Sequence, residues 1–260
     1  MQFDPGPRMN FVRRLWHRRR ARRTRAPFPE AWFSTLREDV AHYALLDEDE
    51  RARLRRCVAA FVSEKHWEGC GGLHIDDRIR VVIAAQACYL AMGLAHDAYR
   101  RLKSILVYPS AWVDPRGRKG FDGLDTSSPR LGEAWPHGPV ILSWRDAQRA
   151  GRRIEHGRNV VFHEFAHHLD MSDAMHSTGS HDVLQRAYRT HVEQTRLGRT
   201  TLLDPYGATN EIEFFAVATE CFFERPAHLR NDDPHLYEML RRCYRQDPAR
   251  REEAIDRTGT

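Results

Sequence analysis

Hydrophobic residues recur at helical spacing in the first part of the chain that follows residue 27. Apolar positions three or four apart within residues 30–66 predict two helices, and Asp47 stands where it would cap the second. Residues 76–100 are apolar on most sides, which is typical of a buried central helix. Residues 69–72, which include three glycines, predict a loop between these helical segments.

Short apolar runs replace the helical pattern after residue 103. Residues 104–108 and 139–144 predict two strands, and a Gly- and Pro-rich stretch from 114 to 138 lies between them. The remaining apolar periodicity predicts four helices, over 158–171, 181–197, 210–224 and 234–246. Strands enclosed by helical segments indicate an α+β body.

Positive charge is concentrated at the amino terminus. Residues 1–29 hold nine arginines against one acid, a net charge of +8, whereas the whole chain carries only +5. The rest of the chain is therefore mildly acidic, which is not the composition of a basic nucleic-acid-binding domain. We expect residues 1–27 to form a solvated arm; contact of this arm with phosphates or an anionic membrane surface is the alternative.

Composition also limits the cellular setting. The 260 residues are 41% hydrophobic, yet no run of 18 apolar residues occurs, which argues against a membrane-spanning helix. The arm lacks the apolar segment of a secretory signal. The five cysteines form no C-x-x-C pair and are odd in number, which favours reduced thiols in a cytoplasmic protein.

The strongest chemical signal is the segment 163–167, His-Glu-Phe-Ala-His, which matches H-E-x-x-H. Imidazoles four residues apart project from the same face of a helix, where His163 and His167 could bind zinc. Glu164 would then reach a water at the metal as a general base. The neighbouring positions are apolar, so these polar groups need a partner, either a metal or hydrogen bonds within the core. His168 lies five residues from His163 and points elsewhere.

A catalytic zinc site needs a third protein ligand. The longer H-E-x-x-H-x-x-G-x-x-H pattern fails, because positions 170 and 173 are both aspartates. A glutamate from a following helix is the other common solution, and the predicted helix 210–224 supplies candidates. Glu213 and Glu220 share one face of that helix, whereas Glu211 points away. Spacing alone does not choose between Glu213 and Glu220.

Taken together, these residues resemble the Mlc titration factor A family of zinc peptidases, to which the catalytic domain of anthrax lethal factor is related in arrangement. The resemblance rests on residues 163–170, on Tyr206 and on the segment 213–216, Glu-Phe-Phe-Ala. Flanking segments agree as well, so the likeness runs over about residues 27–250; they are 105–109, 138–144 and 244–248.

The resemblance implies a zincin-like α+β fold, mostly helical, with a small sheet beside the active-site helix. It implies a single domain over residues 28–255, with a helical part 28–103 and a catalytic part 104–255. One Zn²⁺ per chain would be held by His163, His167 and Glu213. Tyr206 would stabilise the oxyanion, its alternative being a buried loop tyrosine, and Asp170 would orient a ligating imidazole unless it only caps the helix or lies at the surface.

The implied function is a gluzincin-type, aminopeptidase-like zinc peptidase that hydrolyses peptides through a zinc-bound water activated by Glu164. The strand 139–144 would offer its edge to an extended peptide, unless that edge is covered. The family name also implies a partner, an Mlc-like transcriptional repressor, and a regulatory role in sugar uptake. The alternative function is a regulatory protein that sequesters such a repressor and has latent or minor peptidase activity.

Overall fold

The structure, a computed structural model, describes six parts of the chain: residues 28–94, 98–111, 132–134, 138–154, 157–169 and 179–258. The predicted Arg-rich arm therefore lies outside the described residues. So do Asp170 and Asp173 and most of the Gly- and Pro-rich stretch.

The amino-terminal part is helical, as expected. Its elements are α1 (Glu30–Asp39), a 3-10 turn (Ala41–Tyr43), α2 (Glu48–Glu64), strand β1 (His66–Gly69) and α3 (Asp77–Ala91). The prediction that Asp47 caps the second helix is confirmed. Its carboxylate accepts the backbone N–H of Glu50, and the Glu50 side chain accepts the backbone N–H of Asp47 in return.

Helix α3 is the central helix of the molecule. Every residue from Val81 to Ala91 is buried, which confirms the interpretation of its all-round hydrophobicity. The helix ends at Ala91 rather than near residue 100, and two residues later the chain passes close to the carboxy-terminal segment. A Cβ atom on Gly93 would lie 2.2 Å from the backbone oxygen of Tyr244, so only glycine permits this approach.

Strand β1 belongs to a four-stranded sheet, whose other strands are β2 (Ser104–Tyr108), β3 (Gly132–Ala134) and β4 (Val140–Ser143). The strand order is β1-β2-β4-β3, in which β1, β2 and β4 run parallel and β3 pairs antiparallel with β4. Both predicted strands are confirmed. The second ends at Ser143, because the Ser143 hydroxyl caps helix α4 (Trp144–Arg152).

The expectation that segment 139–144 offers a free sheet edge is wrong. Strand β4 is an inner strand, paired with β2 on one side and with β3 on the other. The edge position next to it is occupied by β3, a short strand that arises from the Gly- and Pro-rich stretch.

The remaining elements are helical. They are α5 (Val160–Ala166), α6 (Ser180–Arg196), a 3-10 turn (Pro205–Ala208), α7 (Glu211–Glu224), α8 (Pro226–Asp232), α9 (Pro234–Tyr244) and α10 (Pro248–Thr258). The predictions for α6, α7 and α9 are confirmed to within two residues. Helix α5 is shorter than predicted. No helix in the part of the chain that the structure describes is both long and apolar enough to cross a membrane.

Helix α5 lies at the centre of the fold, in contact with α3, α4, α7, β3 and β4. Its apolar side chains are buried and pack against aromatic rings. Phe162 packs against Tyr89 and Phe223, and Phe165 packs against Tyr99, with ring centroids 5.3–6.1 Å apart. These contacts fix α5 against α3 and α7, and the polar side chain of His163 also faces α7.

Candidate metal centre

The H-E-x-x-H segment forms a short helix whose start is fixed by Asn159. The Asn159 side-chain oxygen accepts the backbone N–H groups of Val161 and Phe162, at 3.0 and 3.1 Å. Val161 and Phe162 are fully buried. His163 and His167 lie on the remaining face, where the side chain of each keeps 14% exposure to solvent.

Helix α7 brings three carboxylates into the interior. Asn210 caps this helix by accepting the backbone N–H groups of Ile212 and Glu213. Glu213, Glu220 and Glu224 are all buried on a helix that is otherwise apolar. A buried carboxylate is costly unless it is paired or hydrogen-bonded, so each of the three needs a partner.

Glu213 meets both imidazoles of the motif. Its Oε2 atom lies 2.9 Å from Nε2 of His163 and 3.5 Å from Nε2 of His167. The donor atoms of these three residues all lie within 4.8 Å of one another, and no other such group of His, Cys, Asp and Glu occurs among the described residues.

This arrangement fits a zinc ion. Two tetrahedral ligands at about 2.0–2.1 Å from zinc lie roughly 3.3 Å apart. The two Glu213–imidazole distances, 2.9 and 3.5 Å, bracket that separation. Two imidazoles and one carboxylate are also a donor set that zinc accepts in catalytic sites. The residues therefore fit the metal that the motif predicts.

The short distances between these carboxylates and imidazoles shift the pKa values of Glu213 and His163. Burial by itself raises the pKa of Glu213, but hydrogen bonds with His163 and His167 outweigh this and lower the pKa to about 2. Burial lowers the pKa of His163, but its hydrogen bonds with Glu213 and Glu220 raise it well above the usual value. The site therefore strongly favours positive charge between its carboxylates.

Glu220 takes a different place from Glu213. Its Oε1 atom lies 2.8 Å from Nδ1 of His163, the ring nitrogen opposite the one that faces Glu213. Spacing alone left these two glutamates as equal candidates for the third ligand, and the family resemblance implied Glu213. The structure brings Glu213 together with both imidazoles and sets Glu220 behind His163.

Glu164 and Tyr206 border the same centre. Glu164 is 94% buried, next to His163 in the chain, and its charge helps to raise the pKa of that imidazole. The Tyr206 ring centroid lies 5.9 Å from that of His163, and the residue is 38% exposed. A buried carboxylate and a partly exposed phenol thus both lie near this imidazole.

Sequence reasoning missed Asp204, which holds Tyr206 in place. The Asp204 carboxylate accepts the backbone N–H of Tyr206 and pairs with Arg158, which directly precedes the cap of α5. Its backbone oxygen lies 3.0 Å from Nε2 of His191. The Asp-Pro sequence before Tyr206 was the available signal, since Asp before a turn often caps it.

His168 is buried, and Asp170 and Asp173, named from the sequence, lie outside the described residues. Asn159 and Gln86 are further buried polar groups near the centre that the sequence did not single out. Asn159 was recognisable as a helix cap from its position before an apolar helix. Nothing local marks Gln86, whose role depends on tertiary contacts.

The fold and the site define a class of protein: a zincin-like metallopeptidase. Comparison with known families agrees. The model of the family described as glucose-regulated metallo-peptidase M90 matches residues 13–245, and the chain belongs to this family.

Individual relatives cover nearly the same span. An uncharacterized protein of Synechocystis sp. is 38% identical over 236 residues, and the match covers 85% of this chain and 86% of the relative. Mlc titration factor A of Yersinia pestis and that of Yersinia pseudotuberculosis are each 29% identical over 255 residues, 92% of either chain. The resemblance to the Mlc titration factor A family is thereby confirmed.

Proposed function

We propose that this protein is a zinc-dependent peptidase in which His163, His167 and Glu213 hold one Zn²⁺ per chain. The observation that carries the proposal is the meeting of two imidazoles and one buried carboxylate at zinc-compatible distances. Membership of a metallopeptidase family supports it. When bound, zinc supplies Lewis acidity toward a peptide carbonyl and lowers the pKa of water.

Glu164 is the general base of the proposed reaction. It adjoins the first imidazole on α5 and is buried, so its carboxylate acts where water is scarce and electrostatic interactions are strong. It accepts a proton from the attacking water and returns that proton to the amine that leaves when the peptide bond breaks. Both transfers need only one carboxylate.

Tyr206 is the proposed oxyanion donor. Its position beside His163 and its partial exposure suit a phenol that meets the substrate carbonyl from the solvent side. A phenol O–H donates most strongly once negative charge has developed on that oxygen, so the hydrogen bond favours the transition state over the ground state.

Strand β3 is the proposed docking edge for the peptide. It is the last strand of the sheet order, it runs antiparallel to β4, and it contacts α5. An extended peptide could add to this edge by main-chain hydrogen bonds and so lie along the helix that carries the imidazoles. This replaces the earlier expectation for the segment 139–144.

The finer activity we propose is that of an aminopeptidase, which follows from the family resemblance. A free α-amino group on the substrate should then be required. Hydrolysis of an aminoacyl anilide but not of its N-acetylated form is the expected result, and equal hydrolysis of both would favour an endopeptidase.

Replacing Glu164 tests the peptidase proposal. The Glu164→Gln variant keeps the size of the side chain but cannot accept the proton, so we expect hydrolysis to fall by about 10²–10⁴-fold. Zinc content should stay at the wild-type level, because Glu164 is not among the proposed ligands. The measurements are peptide hydrolysis and metal analysis on the same preparations.

Glu211→Gln is the matched control for that variant. Glu211 lies in the first turn of α7, accepts a hydrogen bond from Gln185 and is not part of the centre, so activity should be unchanged. If Glu164→Gln hydrolyses peptides at the wild-type rate, the assigned base is wrong.

The second candidate function is regulatory. It is favoured by the similarity to Mlc titration factor A over 92% of the chain. We propose an Mlc-like transcriptional repressor as partner, in the cytoplasm, where free cysteines such as the five of this chain are common. If binding and catalysis use separate surfaces, Glu164→Gln should bind the purified repressor as the wild type does while losing hydrolysis.

A further inference from the structure

Both nitrogens of the His163 ring face carboxylates from the same helix. Nε2 lies 2.9 Å from Glu213, and Nδ1 lies 2.8 Å from Glu220. An ionised carboxylate can only accept hydrogen bonds, so the proton of this contact belongs to Nδ1. A charged imidazole can donate from both nitrogens. When Nε2, which faces Glu213 and His167, binds a metal, the ring is neutral and keeps its one proton on Nδ1, the nitrogen that faces Glu220.

Glu220 is itself held by the start of α5. Its second oxygen, Oε2, accepts the backbone N–H of Asn159, the residue that caps this helix. One carboxylate thus receives two donors from α5, one from the main chain and one from the His163 ring. Because the main-chain donor cannot rotate away, it fixes the orientation of the carboxylate and, through it, the plane of the ring.

Asn159 is held in turn by two other helices. Its side-chain NH₂ group donates to Glu224 of α7 at 3.0 Å and to Gln86 of α3 at 3.1 Å. Gln86 donates to the backbone oxygen of Ala147 in α4 at 3.1 Å. Asn159 and Gln86 have no exposed surface. Buried hydrogen bonds of this kind favour one register of α5 against α7 and penalise others.

We propose that Glu220 is a positioning residue of the metal centre, which keeps His163 in the form protonated on Nδ1 and aims Nε2 at the metal. The assignment rests on the proposed function, because it takes His163 to be a ligand. Carboxylates that hold the outer nitrogen of a ligating histidine raise its basicity and fix its orientation, and their loss typically weakens metal affinity by 10–100-fold.

Glutamine cannot replace Glu220 here. The side-chain amide offers one acceptor oxygen and one NH₂ group, whereas two N–H donors converge on this position. In Glu220→Gln, one of these donors must face the NH₂ group, and the main-chain donor of Asn159 cannot move. The imidazole is then the group that loses its partner or changes its tautomer.

The first measurement is zinc affinity by competition with a chromogenic chelator. We expect Glu220→Gln to bind zinc 10–100-fold more weakly than the wild type and Glu211→Gln, on the same helix, to bind it equally well. Glu220→Asp keeps a carboxylate and should recover part of the loss. A folded Glu220→Gln protein with wild-type zinc affinity would overturn the proposal, since a purely structural tie between helices predicts that result.

The second measurement uses the wild-type chain and holds even if the variants fail to fold. Long-range ¹H–¹⁵N spectra of the zinc-loaded protein, labelled on histidine, report which ring nitrogen carries the proton. We expect Nδ1 of His163 to be protonated and slow to exchange. A His163 ring protonated on Nε2 would overturn the assignment of Glu220 while leaving the peptidase proposal standing. A wild-type chain that binds no zinc would overturn the proposed function itself.

Discussion

Three glutamates on one face of α7 illustrate how position decides chemistry at the scale of single residues. Glu213, Glu220 and Glu224 share a residue type and are all buried. Glu213 meets the inner nitrogens of two imidazoles, Glu220 meets an outer nitrogen, and Glu224 meets the side chain of Asn159. The same type of side chain therefore makes three different kinds of contact, and the group that faces each glutamate decides which one.

Tyr206 carries a prediction at this scale. Tyr206→Phe keeps the ring beside His163 and removes only the hydroxyl. If that hydroxyl donates to the oxyanion, kcat should fall by about 10²–10³-fold while KM changes little, because the interaction is made mainly in the transition state. Steady-state kinetics on a peptide substrate are the measurement.

Tyr188→Phe serves as the control for Tyr206→Phe. Tyr188 lies on α6, packs against Phe214 and has no role in the proposed mechanism, so the kinetics of Tyr188→Phe should match those of the wild type. A Tyr206→Phe variant with unchanged kcat would remove Tyr206 from the proposed mechanism and leave it a surface tyrosine.

At the scale of elements, α5 is a short helix that depends on its cap and its neighbours. It has seven residues, too few to be stable alone in water. Asn159 caps its first turn and also donates to Gln86 and Glu224 on two other helices. The position of the two imidazoles thus depends on a residue outside the H-E-x-x-H motif.

Asn159 both caps α5 and donates hydrogen bonds to two other helices. Replacing it by aspartate, and comparing the result with the same change at another helix cap, separates these two roles. Aspartate caps a helix as well as asparagine does, but it has no NH₂ group to donate. Asn159→Asp should therefore lose both tethers and set a carboxylate against Glu224, lowering the free energy of unfolding by about 1–3 kcal/mol. Urea denaturation monitored by circular dichroism is the measurement.

Asn210→Asp is the paired substitution. Asn210 caps α7 in the same way, at a partly exposed position, so the change should be within about 0.5 kcal/mol of neutral. Equal destabilisation by the two substitutions would show that the buried tethers contribute nothing beyond the cap.

The helices also show which features of the site can be predicted from the sequence and which cannot. The two proposed ligands of the H-E-x-x-H segment could be predicted because two histidines four apart need only a helix to share a face. Spacing could not choose the proposed third ligand, because Glu213 and Glu220 share a face of α7 and differ only in where that helix crosses α5; the family resemblance alone implied Glu213. Such a crossing is set by packing between distant segments, which spacing does not contain.

The sheet gave a similar result. Strand β2 was predicted from its apolar run, whereas β1 was missed because its sequence, His-Trp-Glu-Gly, is polar and mostly exposed. The segment 139–144 forms a strand, as its pattern predicts, but it has a partner on each side and no free edge. Its partner β3 comes from a stretch rich in Gly and Pro, in which no local pattern predicts a strand.

At the scale of the whole molecule, the carboxy terminus closes the fold onto the helices that support α5. Arg251 of α10 pairs with Glu50 of α2 at 2.7 Å, and Gln246 donates to the backbone oxygens of Tyr89 and Leu90 in α3. Segments far apart in the chain therefore stabilise one core. A buried polar residue inside that core should affect the free energy of unfolding of the whole domain.

His42 is such a residue. Its ring is fully buried against Tyr89 and Phe162, with Nε2 3.5 Å from a Glu224 oxygen. Burial lowers the pKa of His42 from 6.5 to about 4, although a hydrogen bond with the Phe223 backbone raises it, and the Arg251 charge lowers it further. The native protein thus keeps this imidazole neutral in mildly acidic solution.

The pH dependence follows from that lowered pKa. Between pH 6.5 and about 4 the unfolded chain binds a proton at His42 that the native state does not. The contribution of His42 to stability is therefore fully present above pH 6.5 and is lost as the pH falls. We expect a loss of about 2 kcal/mol from this group between pH 7 and pH 5.

Urea denaturation at pH 7 and pH 5 measures this contribution. The stability lost between the two pH values should be about 2 kcal/mol smaller in His42→Gln than in the wild type. His228→Gln, at an exposed position, should leave the pH dependence unchanged. If His42→Gln and the wild type lose the same stability between pH 7 and pH 5, His42 is not the group responsible.

Metal analysis of the purified protein beside two alanine variants of α7 tests the central claim most directly. That claim is that His163, His167 and Glu213 together hold one zinc ion. We predict one zinc per chain in the wild type and in Glu211→Ala, and a site that is lost or much weakened in Glu213→Ala. One tightly bound zinc per chain in Glu213→Ala, with wild-type affinity, would contradict the account.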